Sequence, residues 1–315
     1  MILAYIIFGT DTKFPFDIPI LNQIDDEVAD VFSPKDDPQS NDDENIETTP
    51  SDGATIIPSA EEMTVHVIDV GQGSSTLFVA DDRTILIDAG ENGMGNKVKS
   101  YLDELGIDSI DLFIGTHPHS DHIGGMDELM RTVDLQTIIM PELPSSIIPT
   151  TKTYLDVLEM IDNQNKEVTI AEIGDEYIVG DMSIEILGPV EPFDDLNEIS
   201  VISRVTFGEN SVIVSGDAER DAEKATVEKF RSILSSSIYI VAHHGSSTSS
   251  SKDFLDAINP KYGAISLSAD NSYGHPHRET ISELNGRNIE YYRTDERGTI
   301  TFHVSNDGIR VECER

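Results

Sequence analysis

The chain has 315 residues and a formal net charge of −38, with 59 Asp and Glu against 21 Lys and Arg. That field disfavours a polyanionic partner at low ionic strength, because DNA affinity comes largely from Lys and Arg on phosphates. The single cysteine, Cys313, excludes an intramolecular disulfide and a Cys-rich zinc knuckle. The acidity has two readings. One is an ordinary solubilising surface. The other is adaptation to high salt, where carboxylate repulsion is screened within about 3 Å at 1 M.

Residues 1–16 begin apolar but stop at Gly9-Thr10-Asp11. This stub lacks a basic leader and falls far short of the ~20 residues that span a bilayer. It reads as the remnant of an export signal or anchor, or as a stray hydrophobic tail. Residues 17–62 hold fourteen Asp or Glu and one Lys. Such a segment cannot bury enough apolar surface to offset its ordering entropy, so it reads as a disordered acidic linker. A stub followed by an acidic spacer leans towards an extracytoplasmic or membrane-tethered location over a cytoplasmic one, with no transmembrane span. Residues 63–315 form the folded domain.

Thr64-Val65-His66-Val67-Ile68-Asp69-Val70 is rich in β-formers, and Gly71-Gln72-Gly73 reads as a hairpin turn. Strands at 75–79 and 84–88 continue a meander. Helical periodicity follows at 96–105, 124–131 and 151–163, with strands at 110–115 and 137–140. A second β-rich half has strands at 168–170, 183–187, 200–206, 211–215, 238–242 and 263–267. Helices at 220–234 and 279–284 and a final hairpin at 298–311 complete it. Two strand-rich halves with interleaved helices predict two sheets face to face with helices outside. His66 and His303 fall within strand patterns and read as packing residues.

The decisive motif is Thr116-His117-Pro118-His119-Ser120-Asp121-His122, which follows a buried strand. Imidazole and carboxylate are the ligand types of a catalytic zinc, manganese or iron site. Four other segments place chemistry-bearing residues at strand ends or on loops: Asp88 before Ala89-Gly90, Ser215-Gly216-Asp217, His243-His244-Gly245-Ser246 and Tyr273-Gly274-His275-Pro276-His277. Apolar strand, then ligand-type residue, then glycine is the pattern of a site built on one edge of a sheet. Asp217 also stands where a helix N-cap would.

These segments, with His66-Val67-Ile68-Asp69-Val70-Gly71-Gln72-Gly73, resemble the metallo-β-lactamase superfamily. In detail they resemble its ComEC-type C-terminal hydrolase domain, here without the membrane channel. The resemblance spans residues 63–315 and implies an α/β (α+β) fold, an αββα sandwich with two divalent metal ions, zinc or manganese, on the shared sheet edge. It implies that His117 and His119 hold one metal, Asp121, His122 and His244 the other, and that Asp217 bridges them. It places Asp88 behind the ligands as an orienting group, and Asp121, His243 and His275 as groups acting on substrate. The superfamily often adds a histidine between the motif and Asp217; here none occurs between His122 and His243, and Asn197, Ser200 or water would fill that place. Ser74 stands where this branch often has Asp.

The implied activity is a dinuclear-metal-dependent hydrolase of phosphodiesterase or nuclease type, attacking with a hydroxide shared by the two ions. Amides and hydroxyls of Gly245-Ser246-Ser247 are expected to hold a non-bridging oxygen. The alternatives are an ester, lactone or β-lactam hydrolase, or a non-enzymatic metal-binding or interaction domain with a degraded site. The expected partner is a phosphodiester or small ester-type substrate. Nucleic acid is compatible with the resemblance but has no basic stripe or aromatic platform to support it.

Overall fold

The computed structural model describes residues 60–315. The stub at 1–16 and the acidic segment up to residue 59 lie outside the described residues.

The first half is a meander that turns into parallel pairing. Strands β1 (Glu62–Val67), β2 (Thr76–Ala80) and β3 (Arg83–Ile87) run antiparallel. Strands β4 (Ser109–Ile114), β5 (Asp134–Met140) and β6 (Val168–Ile170) then add in parallel. Each parallel step needs a crossover. The crossover segments carry helices Gly95–Leu105, Met126–Met130 and Lys152–Asn163. Crossovers of this kind are right-handed, which puts the helices on one face. Their inward residues keep helical spacing: Val98 and Leu102 in the first, Tyr154, Val157 and Ile161 in the last.

The second half repeats this plan. Strands β7 (Glu176–Val179), β8 (Met182–Gly188), β9 (Ile202–Phe207) and β10 (Asn210–Val214) are antiparallel. Strands β11 (Ile238–Ile240), β12 (Tyr262–Ile265) and β13 (Glu290–Arg293) follow in parallel. Helices Arg220–Phe230, Lys252–Ile258 and Arg278–Gly286 make those crossovers. The chain then returns to the first sheet with β14 (Ile300–Ser305) and β15 (Gly308–Cys313), β14 pairing with β1. The sheet orders are β15-β14-β1-β2-β3-β4-β5-β6 and β13-β12-β11-β10-β9-β8-β7.

One apolar core fills the space between the sheets, joining Val65, Phe78, Ile85 and Leu112 to Ile184, Val205, Val212 and Ile240. A second lies between the outer face of the second sheet and its helices, around Ile213, Tyr239, Phe254 and Leu255. The result is an αββα sandwich. Among the described residues no helix is long and apolar enough to cross a membrane.

Several expectations are corrected. The strand at 168–170 is the rim of the first sheet, and the final hairpin also belongs to that sheet, not to the second half. The helix starting at Arg220 stops at Phe230. Strands β7 and β13 escaped the pattern search because they are short edge strands, and every residue of β13 is at least partly exposed.

Two buried titratable groups lie away from the strand ends that carry the chemistry. His66 Nδ1 is 2.9 Å from the Tyr101 hydroxyl and Nε2 is 2.8 Å from Thr64 Oγ1. Burial, aided by His303, pushes its pKa down to about 4. Glu223, fully buried on helix Arg220–Phe230, accepts from Ser250 N and Ser251 N at the start of helix Lys252–Ile258. Burial outweighs those bonds and pushes its pKa up to about 7.

Candidate metal centre

Strands β3 and β4 are parallel, and so are β10, β11 and β12, so each group presents its carboxyl ends along one edge. Ligand sites of α/β sheets form there. Asp88 follows β3, the 116–122 segment follows β4, Gly216-Asp217 follow β10 and His243-His244 follow β11.

Asp88 organises the motif segment. It is fully buried, and its carboxylate accepts from Thr116 N at 2.8 Å and from His122 Nδ1 at 2.6 Å. A carboxylate offers only acceptors here, so His122 turns its Nδ1–H to Asp88 and keeps Nε2 as the nitrogen that can ligate. His244 is set the same way, because its Nδ1 is 2.8 Å from the Ser266 carbonyl. Both Nε2 atoms face Asp217: Oδ1 is 3.0 Å from His122 Nε2 and 3.8 Å from His244 Nε2. His244 Nε2 is also 3.2 Å from Asp121 Oδ2. Yet His122 Nε2, His244 Nε2 and Asp217 Oδ1 are buried without a hydrogen-bond partner. Leaving each so costs roughly 1–3 kcal/mol. A cation among them removes that penalty.

Asp121, His122, Asp217 and His244 place their ligand atoms within 4.8 Å of one another, and so do His117, His119 and Asp217. Asp217 is common to both groups. In the second group His117 Nε2 is 3.0 Å from His119 Nδ1 and 3.8 Å from Asp217 Oδ2.

The electrostatics favour positive charge at this spot. Burial alone would raise the Asp217 carboxyl, but His122, His244 and His117 hold it well below the usual range. Asp121 is lowered likewise, burial being outweighed by His244 and His122. Asp217 and Asp88 overcome burial to raise the proton affinity of His122, and Asp217 and Asp121 do the same for His244. Burial holds His117 well below its ordinary value, with His122 adding to it against the pull of Asp217. His119 is lowered by burial against Asp121 and Asp217. Both stay neutral, as imidazole ligands must be.

Asp217 is free for this role because another residue caps the helix behind it. Glu198 accepts from the backbone N–H of Glu219, Asp221 and Ala222 at 3.1, 3.2 and 2.9 Å. Ser200 is engaged too: its hydroxyl accepts from Asp217 N at 3.1 Å. Asn197 lines the cleft, donates to Glu219 Oε1 at 3.3 Å, and leaves Oδ1 buried without a partner. Gly216 has φ +51, and a Cβ on it would meet Thr116 Cβ at 2.8 Å.

His243 and His244 both adopt left-handed backbone, φ 51 and 53, at a cost of order 1–3 kcal/mol each. The bend sends the two rings different ways. His243 reaches the cleft edge, with Nε2 3.6 Å from Asp217 Oδ2 and Nδ1 3.3 Å from Glu219 Oε1. His275 lines the same cleft, its pKa pushed down to about 4 by burial and by His244, His243 and His277. His277 instead accepts from Ser247 N at 2.9 Å and clamps the loop. The amides of Ser246 and Ser247 are therefore spent internally, the first on the His243 carbonyl at 2.8 Å. This overturns their expected role as anion donors.

The hairpin at Gly71-Gln72-Gly73 does more than turn the chain. Ser74 N donates to the Asp121 carbonyl at 2.9 Å, and a Cβ on Gly73 would stand 2.5 Å from that oxygen. Gln72 lines the cleft with a buried, partnerless Nε2. Gln72, Thr116, Glu198 and Glu219 were missed as site residues; Gln72 and Thr116 stand inside motif segments, whereas Glu198 and Glu219 carried no local signal. The cleft has a volume of about 430 Å³.

Comparison with known proteins agrees with this geometry. ComE operon protein 3 of Bacillus subtilis is 28% identical over 266 residues, 78% of this chain and 34% of that protein, so the chain spans about a third of its length. Exodeoxyribonuclease YycJ of Bacillus anthracis is 29% identical over 124 residues, 39% of this chain and 43% of that protein. The metallo-beta-lactamase fold protein YhfI of Bacillus subtilis superposes with a TM-score of 0.50 at 13% identity, covering 77% of this chain and 99% of that one. Residues 68–269, well over half of the sequence and the stretch that carries the ligand cluster, match the family described as the metallo-beta-lactamase superfamily, and the chain belongs to it.

Proposed function

We propose that this member of the superfamily hydrolyses phosphodiester bonds with two divalent cations, zinc or manganese. The observation that carries the reading is the meeting of partnerless His122 Nε2, His244 Nε2 and Asp217 Oδ1 beside an open cleft. Asp121, His122, Asp217 and His244 would hold one cation, and His117, His119 and Asp217 the other. Mixed imidazole and carboxylate donors suit either ion. Bound there, the pair supplies charge neutralisation in the transition state and a water acidified towards neutrality.

The remaining tasks fall to the chain's own side chains. Asp88 and the Ser266 carbonyl hold two imidazoles in the tautomer that can ligate. His243, steadied by Glu219 at the cleft edge, is placed to give a proton to the leaving oxygen. His275 is neutral near pH 7, so it offers a hydrogen bond and not a proton. Gln72 Nε2, without a partner in the cleft lining, is placed to donate to a non-bridging oxygen, the task from which the Ser246 and Ser247 amides are withdrawn. The relative named as an exodeoxyribonuclease supports phosphorus over a carboxylic ester as the electrophile.

A hydrolysis screen on metal-reconstituted protein tests this, with bis-p-nitrophenyl phosphate, nitrocefin and a lactone panel at low and molar salt. Turnover of the phosphodiester alone is expected. Preference for nitrocefin or a lactone, or phosphodiester hydrolysis that survives Asp217→Ala, overturns it.

A further inference from the structure

The rim of the cleft carries a large side chain that neither the metal ligands nor the fold accounts for. Tyr273 is 64% exposed, more than any other large hydrophobic residue among those described, and it lines the cleft. One face of its ring rests on His275, with centroids 5.5 Å apart and planes 22° from parallel. His275 is braced in turn, edge-on, by His277 at 4.8 Å and His243 at 5.6 Å. The loop beneath is bolted by one side chain. Asn271 Nδ2 donates to the carbonyls of Ser268 and His275 at 2.7 and 2.8 Å, and Asn271 Oδ1 accepts from His275 N at 2.9 Å. Tyr273 is thus a fixed ring with one face supported and the other bare.

A second feature of the same cleft bears on what lies against that ring. No Lys or Arg is among its lining residues, and its two acids, Asp121 and Asp217, are both in the ligand groups. Arg220 donates to the Ser247 carbonyl at 2.8 Å, and Lys152, between the lining residues Thr151 and Thr153, is paired with Asp156. Proteins that hold long single strands combine stacking rings with a positive groove that follows the backbone. Here the ring is present, and among the described residues no Lys or Arg lines the cleft beside it.

We propose that Tyr273 is the specificity-determining residue of the cleft, a stacking platform for a planar base next to the scissile phosphate, and that the substrate class is a short nucleoside phosphodiester of dinucleotide size. This rests on the phosphodiester reading above. Stacking on a preset ring is tolerant of base identity and adds roughly a tenfold advantage over a substrate without a base. A polynucleotide gains little further, because no Lys or Arg lines the cleft to meet its extra phosphates.

The test compares two esters with the same leaving group, thymidine 5′-(p-nitrophenyl phosphate) and ethyl p-nitrophenyl phosphate, on the full metal-reconstituted chain. Wild type is expected to favour the thymidine ester in kcat/KM by roughly tenfold. Tyr273→Ala should lose that preference while changing the ethyl ester less than twofold, and Tyr273→Phe should keep it. Equal losses on both esters would mean that Tyr273 merely supports His275, and a preference that survives Tyr273→Ala would overturn the proposal directly. If neither ester is cleaved, the phosphodiester reading fails and calorimetry decides the stacking separately. A thymidine dinucleotide should bind the metal-loaded protein roughly tenfold more tightly than its abasic analogue, and Tyr273→Ala should erase the difference. Equal or undetectable binding of both overturns it, as does a thymidine 20-mer that binds more tightly than the dinucleotide with steep salt dependence.

Discussion

Asp88 Oδ2 and His122 Nδ1 stand 2.6 Å apart, both in a fully buried setting, and this contact aims the opposite nitrogen of the ring at Asp217. Asp88→Asn keeps an acceptor but removes the charge. Apparent zinc affinity, measured by competition with a chromophoric chelator, should fall by roughly 10–100-fold. Asp88→Ala also strands Thr116 N and should cost a further ~1–3 kcal/mol in urea denaturation. Unchanged affinity in both variants would mean that Asp88 does not orient the ligand.

Asp217 is shared between two ligand groups, whereas His119 belongs to one. Plasma mass spectrometry after reconstitution and desalting should find two ions in wild type, one in His119→Ala, and loss of both in Asp217→Ala. One ion retained by Asp217→Ala would show that the groups bind independently.

The close approach of Gly216 to Thr116 leaves no space for a methyl group, and φ +51 disfavours any side chain. Gly216→Ala should lower unfolding stability by at least about 2 kcal/mol. An unmoved thermal midpoint would show that Thr116 yields without cost.

His66 and Glu223 give opposite pH dependences. The folded state holds His66 neutral down to about pH 4, against an ordinary value of 6.5. The unfolded chain binds the extra proton in that window, so stability linked to His66 falls as pH drops from 6.5 to 4. Glu223 is shifted upward, from 4.5 to about 7. Its contribution is complete below pH 4.5 and is lost as pH rises through 7. Each amounts to roughly 3 kcal/mol at most, taking 1.36 kcal/mol per unit. Relative to wild type, Glu223→Gln should therefore be more acid-labile and His66→Gln less so, with the double variant close to the wild-type slope. Parallel denaturation curves at pH 4.5 and 7 check this; identical pH slopes in all four proteins would refute both assignments.

The strands that carry the site were legible because apolar runs such as 110–114 and 212–214 stop within three residues of a ligand-type residue, with a glycine between. Edge strands β7 and β13 were not, since half-exposed segments lack a continuous apolar signature. The partner of β1 was not legible either: His303 meets Glu62 across 241 residues, a pairing with no local trace. Within the site, the dense 117–122 motif could be read from spacing and its grouping with Asp217 and His244 only from the resemblance, whereas tautomers could not be read at all. They depend on Ser266 and Asp88, which come from other strands. Glu198, which leaves Asp217 free by capping the helix in its place, sits in a loop with no pattern to mark it.

The late return of β14 has a consequence for biosynthesis. At roughly 5–20 residues per second, β1 leaves the ribosome some ten to fifty seconds before its neighbour exists. During that interval one margin of the nascent sheet displays bare amide and carbonyl groups, a template for any passing extended chain. Chaperone demand should concentrate in that window, and end once the last hairpin docks.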